Sequence, residues 1–457
     1  IFYSWFHDFV KEHMIVVETS IFNMNGDDKM YIHVVQRGDT LWSIANRYGV
    51  STQRIILDNG LNAQPFLVEG QALIILVPEV IHTVRRGDTL ASIASVYNTT
   101  EMELLQKNPN LIQNRQLRVG QQITIRFQGG NERNVYINGY AYPYIDREIL
   151  TRALPYLTDL TLFSYGFTET GELIPIDDQP LINLAYQYKT APIMLISSIT
   201  EDGNFSGEKA SLLFNDLRLQ NTVINNMIAV MDEKGYLGLD IDFEYVNPED
   251  GEAFIDFVRN TTERMHQNGY RVNVDLAPKT SSNQEGLLYE AHDYARLGAI
   301  ADTVLIMTYE WGYTYGPPLA VAPLNNVRQV VTYAVSQIPS NKIMLGIPNY
   351  GYDWKLPYEK GVTRATSIGN EEAIRIAAEN GATIQFDEIA QSPFFEYYAR
   401  DRSKHIVWFE DVRSILGKFN LISEFALRGG GYWNVMRPFS QNWALLSQKF
   451  KIQKVVQ

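Results

Sequence analysis

The sequence predicts an α/β protein in which a (β/α)8 TIM barrel follows two small βααβ modules. Three observations predict it. A segment near the N-terminus recurs once with a period of about 49 residues. Eight apolar runs alternate with helix-length segments over the remainder of the chain. Acidic and aromatic residues concentrate where these runs end, which is where barrels of this type place their chemistry.

Composition excludes several classes of partner. The chain has 457 residues, with 39 Lys and Arg against 52 Asp and Glu, for a formal net charge of −13. No basic block stands out, so we expect no nucleic acid and no membrane among its partners. No apolar run approaches the roughly 20 residues of a membrane span. Cysteine is absent, which excludes disulfides, thiolate metal sites and a cysteine nucleophile.

Residues 1–29 form an atypical N-terminal extension. The segment is apolar in patches but lacks the basic start, unbroken apolar centre and small-residue cleavage site of a secretory signal. The chain does not begin with Met, which makes Met30 a candidate for the true start.

The repeat is clearest from His33 to Ala45 and from His82 to Ala94, which share Gly-Asp-Thr-Leu and Ser-Ile-Ala. Each copy, over residues 31–77 and 80–127, predicts strand, helix, helix, strand. Asp39 and Asp88 are predicted to cap a helix or lie in its first turn. The equivalent positions of the two histidines indicate a structural role in a strand.

Both copies resemble the LysM module. This resemblance implies binding to N-acetylglucosamine-containing glycans such as peptidoglycan or chitin, and two weak sites on one chain would raise the apparent affinity for a polymer. A generic α/β repeat is the alternative. In each copy the implied groove lies between the first strand–helix loop and the second helix–strand loop. The helix–strand loops are residues 62–67 and 110–113. The strand–helix loops supply the expected glycan-binding residues, which are Gly38, Asp39, Thr40 and Leu41 in the first copy and Gly87, Asp88, Thr89 and Leu90 in the second.

Residues 128–133 are predicted to be a linker, and residues 134–450 the barrel. Continuous apolar runs separated by helix-length segments are typical of parallel strands covered on both faces. The eight predicted strands are Val135–Tyr140, Leu160–Tyr165, Ile193–Ser198, Gly238–Phe243, Val272–Leu276, Thr303–Tyr309, Ile343–Ile347 and Gly431–Asn434.

The fourth run carries a row of acids. Asp240, Asp242 and Glu244 lie at i, i+2 and i+4, so a strand would place all three on one face and the intervening apolar residues on the other. Like charges this close raise each other's pKa values, which suits a general acid. Aromatic residues at the ends of most runs predict stacking on sugar rings.

The barrel region resembles the catalytic domain of glycoside hydrolase family 18. The family signature Asp-Gly-x-Asp-x-Asp-x-Glu appears at residues 237–244 with Leu237 in place of the first Asp, and Met-x-Tyr-Asp appears at residues 307–310 with Glu310 in place of the Asp. Two further family motifs are present: Gly-Gly-Gly-Tyr-Trp, which ends at Trp433, and the seventh-strand motif, which spans residues 345–351. Joined to two LysM copies, the barrel is similar to the spore cortex-lytic and germination N-acetylglucosaminidases of Bacillus-type spore formers.

This resemblance implies a reaction in which the substrate's own acetamido oxygen attacks the anomeric carbon. Glu244 would be the acid and then the base, Asp242 would hold the acetamido N–H, Asp240 would share a proton with Asp242, and Tyr309 would hydrogen-bond the acetamido carbonyl. The expected substrate-binding residues are Glu310, Trp433, Tyr140, Tyr165, Trp311, Asn349 and Tyr350.

The predicted function is hydrolysis of spore-cortex peptidoglycan at β-1,4 bonds after N-acetylglucosamine during germination. We expect no cofactor, a monomer, and a location in the spore. A chitinase is one alternative. A catalytically silent glycan-binding or coat protein is another, although inactive family members typically lose the final Glu, which is present as Glu244. A third is a Mg²⁺ or Mn²⁺ site on the acid row.

Overall fold

The computed structural model describes residues 30–61, 66–130, 133–200 and 205–456. The predictions for residues 1–29 therefore lie outside the described residues, as do residues 62–65 of one predicted glycan loop and residues 131–132 of the predicted linker.

Each copy of the repeat folds as the predicted strand, helix, helix, strand. In both modules the two strands pair antiparallel to each other. The first module contains β1 (Met30–Val34), α1 (Leu41–Tyr48), α2 (Thr52–Asn59) and β2 (Ala72–Leu76), and the second contains β3 (Pro78–Thr83), α3 (Leu90–Val96), α4 (Glu101–Lys107) and β4 (Gln122–Phe127).

The turn before α1 corrects one prediction. Thr40, not Asp39, is the helix N-cap: its side chain accepts a hydrogen bond from Ser43 N, and the Ser43 hydroxyl accepts one from Thr40 N. Asp39 lies one residue too early to cap, and it closes the turn by accepting from Gln36 N at 2.8 Å and contacting His33 Nε2 at 3.0 Å. The same contacts recur around Thr89, Asp88 and His82 in the second module. The two histidines therefore have the predicted structural role.

Eight parallel strands close into a barrel, as predicted. They are β5 (Arg133–Ala141), β6 (Asp159–Phe167), β8 (Ala191–Ser197), β9 (Gly238–Asp242), β10 (Arg271–Leu276), β11 (Thr303–Ile306), β12 (Ile343–Pro348) and β18 (Gly429–Trp433). The strands follow one another round the ring in this order, and β5 completes the ring by pairing with both β6 and β18. Each of the eight predicted runs overlaps one of them.

Helices on the outside of the barrel cover these strands and bury their outward-facing apolar residues. Two short strands, β7 (Leu173–Ile174) and β19 (Phe450–Ile452), extend the sheet at β6 and β5. The helices are α5 (Arg147–Ala153), α6 (Gln179–Gln187), α7 (Gly207–Asn215), α8 (Leu217–Lys234), α9 (Gly251–Gln267), α10 (Tyr294–Ile300), α11 (Leu324–Gln337), α13 (Val412–Glu424) and α14 (Ser440–Lys449).

A small subdomain is inserted between β12 and β18. Its elements are β13 (Gly351–Leu356), β14 (Thr366–Ile368), α12 (Asn370–Asn380), β15 (Gln385–Asp387), β16 (Ser392–Tyr398) and β17 (Lys404–Trp408). The five strands form an antiparallel sheet in the order β14, β13, β17, β16, β15, which packs on the helix around buried residues such as Phe395 and Ala377.

Both modules pack against the barrel through buried polar contacts. The buried amide of Gln441, on α14, donates to Asn59 Oδ1 at 3.0 Å and to the Ala72 carbonyl at 2.7 Å in the first module. In the second module, Tyr156 Oη donates to the Gln106 carbonyl at 2.8 Å. Buried hydrogen bonds of this kind are costly to leave unmade, so they fix where the modules sit on the barrel.

Candidate active site

The acid row lies inside the barrel. Asp240 and Asp242, on β9, are buried, and Glu244 follows two residues after that strand ends. The intervening residues Leu239 and Ile241 pack outward into the main core with the helices. The alternation predicted from the sequence therefore places the three carboxyl groups on the interior face, near the carboxyl ends of the strands.

Asp240 is well supplied with hydrogen-bond donors. Its Oδ2 accepts from Tyr140 Oη at 2.8 Å, and its Oδ1 accepts from Asn273 Nδ2 at 2.7 Å. Burial raises the pKa of Asp240 to about 6, and these donors oppose the rise because they stabilise the charged form.

Asp242, unlike Asp240, has an oxygen without a hydrogen-bond donor. Its Oδ1 is buried and has no hydrogen-bond partner among the described residues. Burial raises the pKa of Asp242 well above its usual range, and the neighbouring charges of Glu244 and Asp240 add to the effect. Asp242 therefore favours its neutral form when no ligand is bound, and a hydrogen-bond donor brought to its buried Oδ1 would satisfy that oxygen.

Glu244 has the protonation behaviour of a general acid. Burial raises its pKa to about 7, and the charge of Glu310 adds to that rise. A carboxyl group with a pKa near neutral can give up a proton in one step and take it back in the next.

Glu310 is held by two tyrosines from the segment after β12. Its carboxylate accepts hydrogen bonds from Tyr350 Oη and, at 3.1 Å, from Tyr352 Oη. The backbone of Glu310 is in the left-handed region, with φ at 68°. Tyr309, beside it, is half-buried. Burial raises the pKa of its hydroxyl, the nearby carboxyl groups of Asp275, Asp242 and Glu244 add to the rise, and the hydroxyl stays a hydrogen-bond donor.

Aromatic rings form the floor beside the acids. Trp433, at the end of β18, packs edge-on against Phe163 with ring centroids 5.0 Å apart. It also contacts Tyr140 at 5.9 Å and Tyr142 at 6.0 Å. Tyr142 stacks on Tyr144, whose side chain is exposed, so the aromatic surface continues from the floor into solvent.

Tyr165 was expected to bind substrate but lies outside the site. Its hydroxyl donates to Asp178 at 2.5 Å and accepts from Lys234 Nζ at 2.8 Å, and its ring packs in the core between strands and helices. The pairing of β6 with β8 is irregular between Leu162 and Tyr165. An irregularity of this kind interrupts the strict alternation of side chains, which turns Tyr165 outward.

Two more residues expected at the substrate are buried in supporting positions. Tyr140 is fully buried and lies beneath the acids as a donor to Asp240. Asn349 is buried and donates to the carbonyls of Asn434 and Arg437, which braces the chain after β18. Trp311 is half-buried against the main core, and its contact with substrate stays a prediction.

The sequence reasoning missed two polar residues on β10. Asn273 and Asp275 are buried in the barrel interior, and both contact the network around Asp240. Their spacing of i and i+2 repeats the pattern of the acid row on β9. This spacing could have indicated a second row of polar side chains inside the barrel.

Neither a metal cluster nor a membrane-spanning helix is seen in the described part of the chain. No three His, Asp or Glu side chains there are arranged to hold a metal ion, and no helix there is long and apolar enough to cross a membrane. The expected absence of a metal and a cofactor stays a prediction.

Cleavage of a sugar chain requires a carboxyl group that can exchange a proton near neutral pH beside a surface that binds sugar rings, so fold and site define a glycoside hydrolase. The model of glycosyl hydrolases family 18 matches residues 139–437, and the LysM domain model matches residues 33–76 and 82–126. The chain belongs to glycosyl hydrolase family 18 and carries two LysM domains ahead of the barrel.

The similar proteins include cortex-lytic enzymes of Bacillus and a chitinase. The cortical fragment-lytic enzyme of Bacillus subtilis (strain 168) is 40% identical over 433 residues, covering 93% of this chain and 99% of its own. The crystal structure of the Bacillus cereus spore cortex-lytic enzyme SleL matches with a TM-score of 0.79 and 39% identity, covering 93% of this chain and 99% of its own. A chitinase from Chromobacterium violaceum matches with a TM-score of 0.64 and 25% identity, over 69% of this chain and 98% of its own.

Proposed function

We propose that this chain hydrolyses the peptidoglycan of the spore cortex during germination. It cleaves the β-1,4 bond that follows an N-acetylglucosamine residue. The observation that carries the proposal is Glu244, a carboxyl group with a raised pKa that adjoins Asp242 and lies at the aromatic end of the barrel. The names of the two spore enzymes that match nearly the whole chain support cortex as the substrate.

In the first step, Glu244 gives its proton to the oxygen of the bond being cleaved. The acetamido oxygen of the N-acetylglucosamine attacks the anomeric carbon as that bond breaks. This forms an oxazolinium ion and releases the rest of the chain as an alcohol. No carboxylate nucleophile is needed, because the substrate provides its own.

In the second step, Glu244, now a carboxylate, takes a proton from a water molecule that attacks the same carbon. The oxazolinium ring opens, the acetamido group is restored, and Glu244 regains its proton. Two inversions at one carbon give a product with retained configuration.

Three side chains support the charge that develops. Asp242, as a carboxylate, accepts a hydrogen bond from the acetamido N–H and stabilises the positive ring. Asp240 takes the proton that Asp242 gives up. Tyr309 donates to the acetamido oxygen, and the indole of Trp433 lies under the apolar face of the sugar.

The two LysM domains hold the enzyme on its polymer. The turns that contain Gly38 to Leu41 and Gly87 to Leu90 form part of each glycan site. Two weak contacts on one chain raise the effective concentration of glycan at the barrel. The enzyme is located in the spore and acts as a monomer without a cofactor.

The proposal is tested by incubating the protein with purified cortex and, separately, with colloidal chitin. New reducing ends from cortex are expected for the wild type and not for Glu244→Gln. Reducing ends on chitin alone would contradict the cortex assignment. Sedimentation of the Glu244→Gln protein with cortex tests glycan binding apart from cleavage, because the variant leaves both LysM domains unchanged.

A further inference from the structure

A further carboxyl group lies beside Asp240 in the barrel interior, on the neighbouring strand. Asp275 is buried on β10, and its Oδ1 is 2.8 Å from Tyr140 Oη. The same tyrosine oxygen is 2.8 Å from Asp240 Oδ2. Asn273 also connects the two acids, because its Nδ2 is 2.7 Å from Asp240 Oδ1 and 2.9 Å from Asp275 Oδ1.

The hydrogens available in this network do not suffice for two ionised acids. Asn273 can give one N–H to each carboxyl, but the phenol of Tyr140 has a single hydrogen and two carboxyl oxygens at hydrogen-bonding distance. With both acids ionised, the Tyr140 oxygen would lie against one carboxylate oxygen with no hydrogen between them, and their lone pairs would repel each other in a buried site. One of the two carboxyl groups therefore carries a proton, which fills the remaining contact.

Asp275 is the better place for that proton. The titratable groups around it are Asp240 and Asp242 from β9, Tyr140 from β5 and Tyr309 after β11. The hydrogen bonds from Tyr140 and Asn273 reach both oxygens of Asp240, which suits a carboxylate, but both of those to Asp275 reach Oδ1. Burial and the charges of Asp240 and Asp242 raise the pKa of Asp275 well above its usual range, whereas the pKa of Asp240 rises only to about 6.

We propose that Asp275 is a positioning residue for the reaction, a neutral carboxylic acid that donates a hydrogen bond to Tyr140 Oη, so that the single hydrogen of Tyr140 points to Asp240. Three acids then hold two protons. One stays on Asp275, and the other moves from Asp242 to Asp240 when Asp242 turns its carboxylate to the acetamido N–H. An ionised Asp275 would instead repel charge on Asp240 and keep it protonated, which would block this exchange. This inference rests on the proposed function, because it assigns the acetamido contact to Asp242.

The test compares Asp275→Asn with Asp275→Ala, using kcat/KM against pH on cortex fragments. The Asn side chain keeps a neutral donor, so we expect kcat/KM within about threefold of wild type and an unchanged acid limb. The Ala variant removes the hydrogen bond that Tyr140 accepts and that strengthens its own donation to the charged form of Asp240. The pKa of Asp240, and with it the acid limb, should therefore move up by about 0.3 pH unit. Asp256→Asn, on the exposed face of α9, is the matched surface control.

A second readout does not depend on turnover. The infrared difference between wild type and Asp275→Asn near pH 7 should contain the carbonyl stretch of one protonated carboxyl group, and thermal unfolding of both variants checks that they fold. An acid limb that moves down in Asp275→Asn, equal effects of Asn and Ala, or the absence of the protonated band would each overturn the inference. A wild-type protein that releases nothing from cortex would instead contradict the proposed function, and the infrared band would still test Asp275.

Discussion

Trp433 packs edge-on against Phe163, with the two rings inclined at 70° and their centroids 5.0 Å apart. This contact fixes the indole plane at the end of β18, where it can lie under a sugar ring. A rigid ring that is already oriented loses little entropy when the sugar binds.

Replacing Trp433 with Ala should lower kcat/KM by about 100-fold, a loss of about 3 kcal/mol that is typical of a buried aromatic anchor. Trp433→Phe keeps a flat ring and should lose less. Steady-state kinetics on cortex fragments measures both variants. Equal losses in the two variants would show that the flat ring is not what the substrate contacts.

The charge of Glu310 should set the alkaline limit of activity. Glu244 must be protonated to act as the acid, so kcat/KM should fall as the pH rises through the pKa of Glu244, about 7. Glu310→Gln removes a negative charge that raises this pKa, so the alkaline limb should move to lower pH. Glu359→Gln, at an exposed position, is the control. A limb that stays in place in Glu310→Gln would contradict the assignment of Glu244 as the acid.

Tyr309→Phe should lower kcat by about 10- to 100-fold with little change in KM. The hydroxyl is proposed to stabilise the acetamido oxygen chiefly as it attacks, and groups that act in the transition state affect kcat. Tyr315→Phe, on an exposed ring, should change neither constant. A rise in KM alone would mean that Tyr309 only binds the ground state.

The contact between Gln441 and the first LysM domain should contribute to stability. Gln441→Ala leaves the Ala72 carbonyl without this donor in a buried interface, which should cost about 1–2 kcal/mol in the free energy of unfolding. Gln385→Ala, on the exposed edge of the small subdomain, should cost less than about 0.5 kcal/mol. Denaturant unfolding compares them. A loss no larger than that of the control would show that this contact does not stabilise the domain on the barrel.

The sequence predicted most of the barrel because period and burial act locally. The alternation through Asp240, Asp242 and Glu244 sufficed to place the acids inside, and each apolar run formed a strand. Tyr165 was beyond this reasoning, because a local irregularity in the pairing of β6 with β8 is set by the neighbouring strand.

The hydrogen-bond partners of the buried acids could not be predicted from the sequence either. That Tyr140 on β5 meets Asp275 on β10 depends on which strands face each other once the barrel closes. The spacing of Asn273 and Asp275 hinted at a second polar row, but only the closed ring shows that it meets the first. The cap at Thr40 is a similar case, because one residue decides whether a side chain reaches the helix end.

Mass spectrometry of the fragments released from purified cortex tests the central claim most directly. The wild-type protein should release muropeptides whose new reducing end is N-acetylglucosamine. The Glu244→Gln protein should release none at equal concentration, and circular dichroism checks that it is folded. Fragments that end in muramic acid, or equal release by the two proteins, would contradict the account.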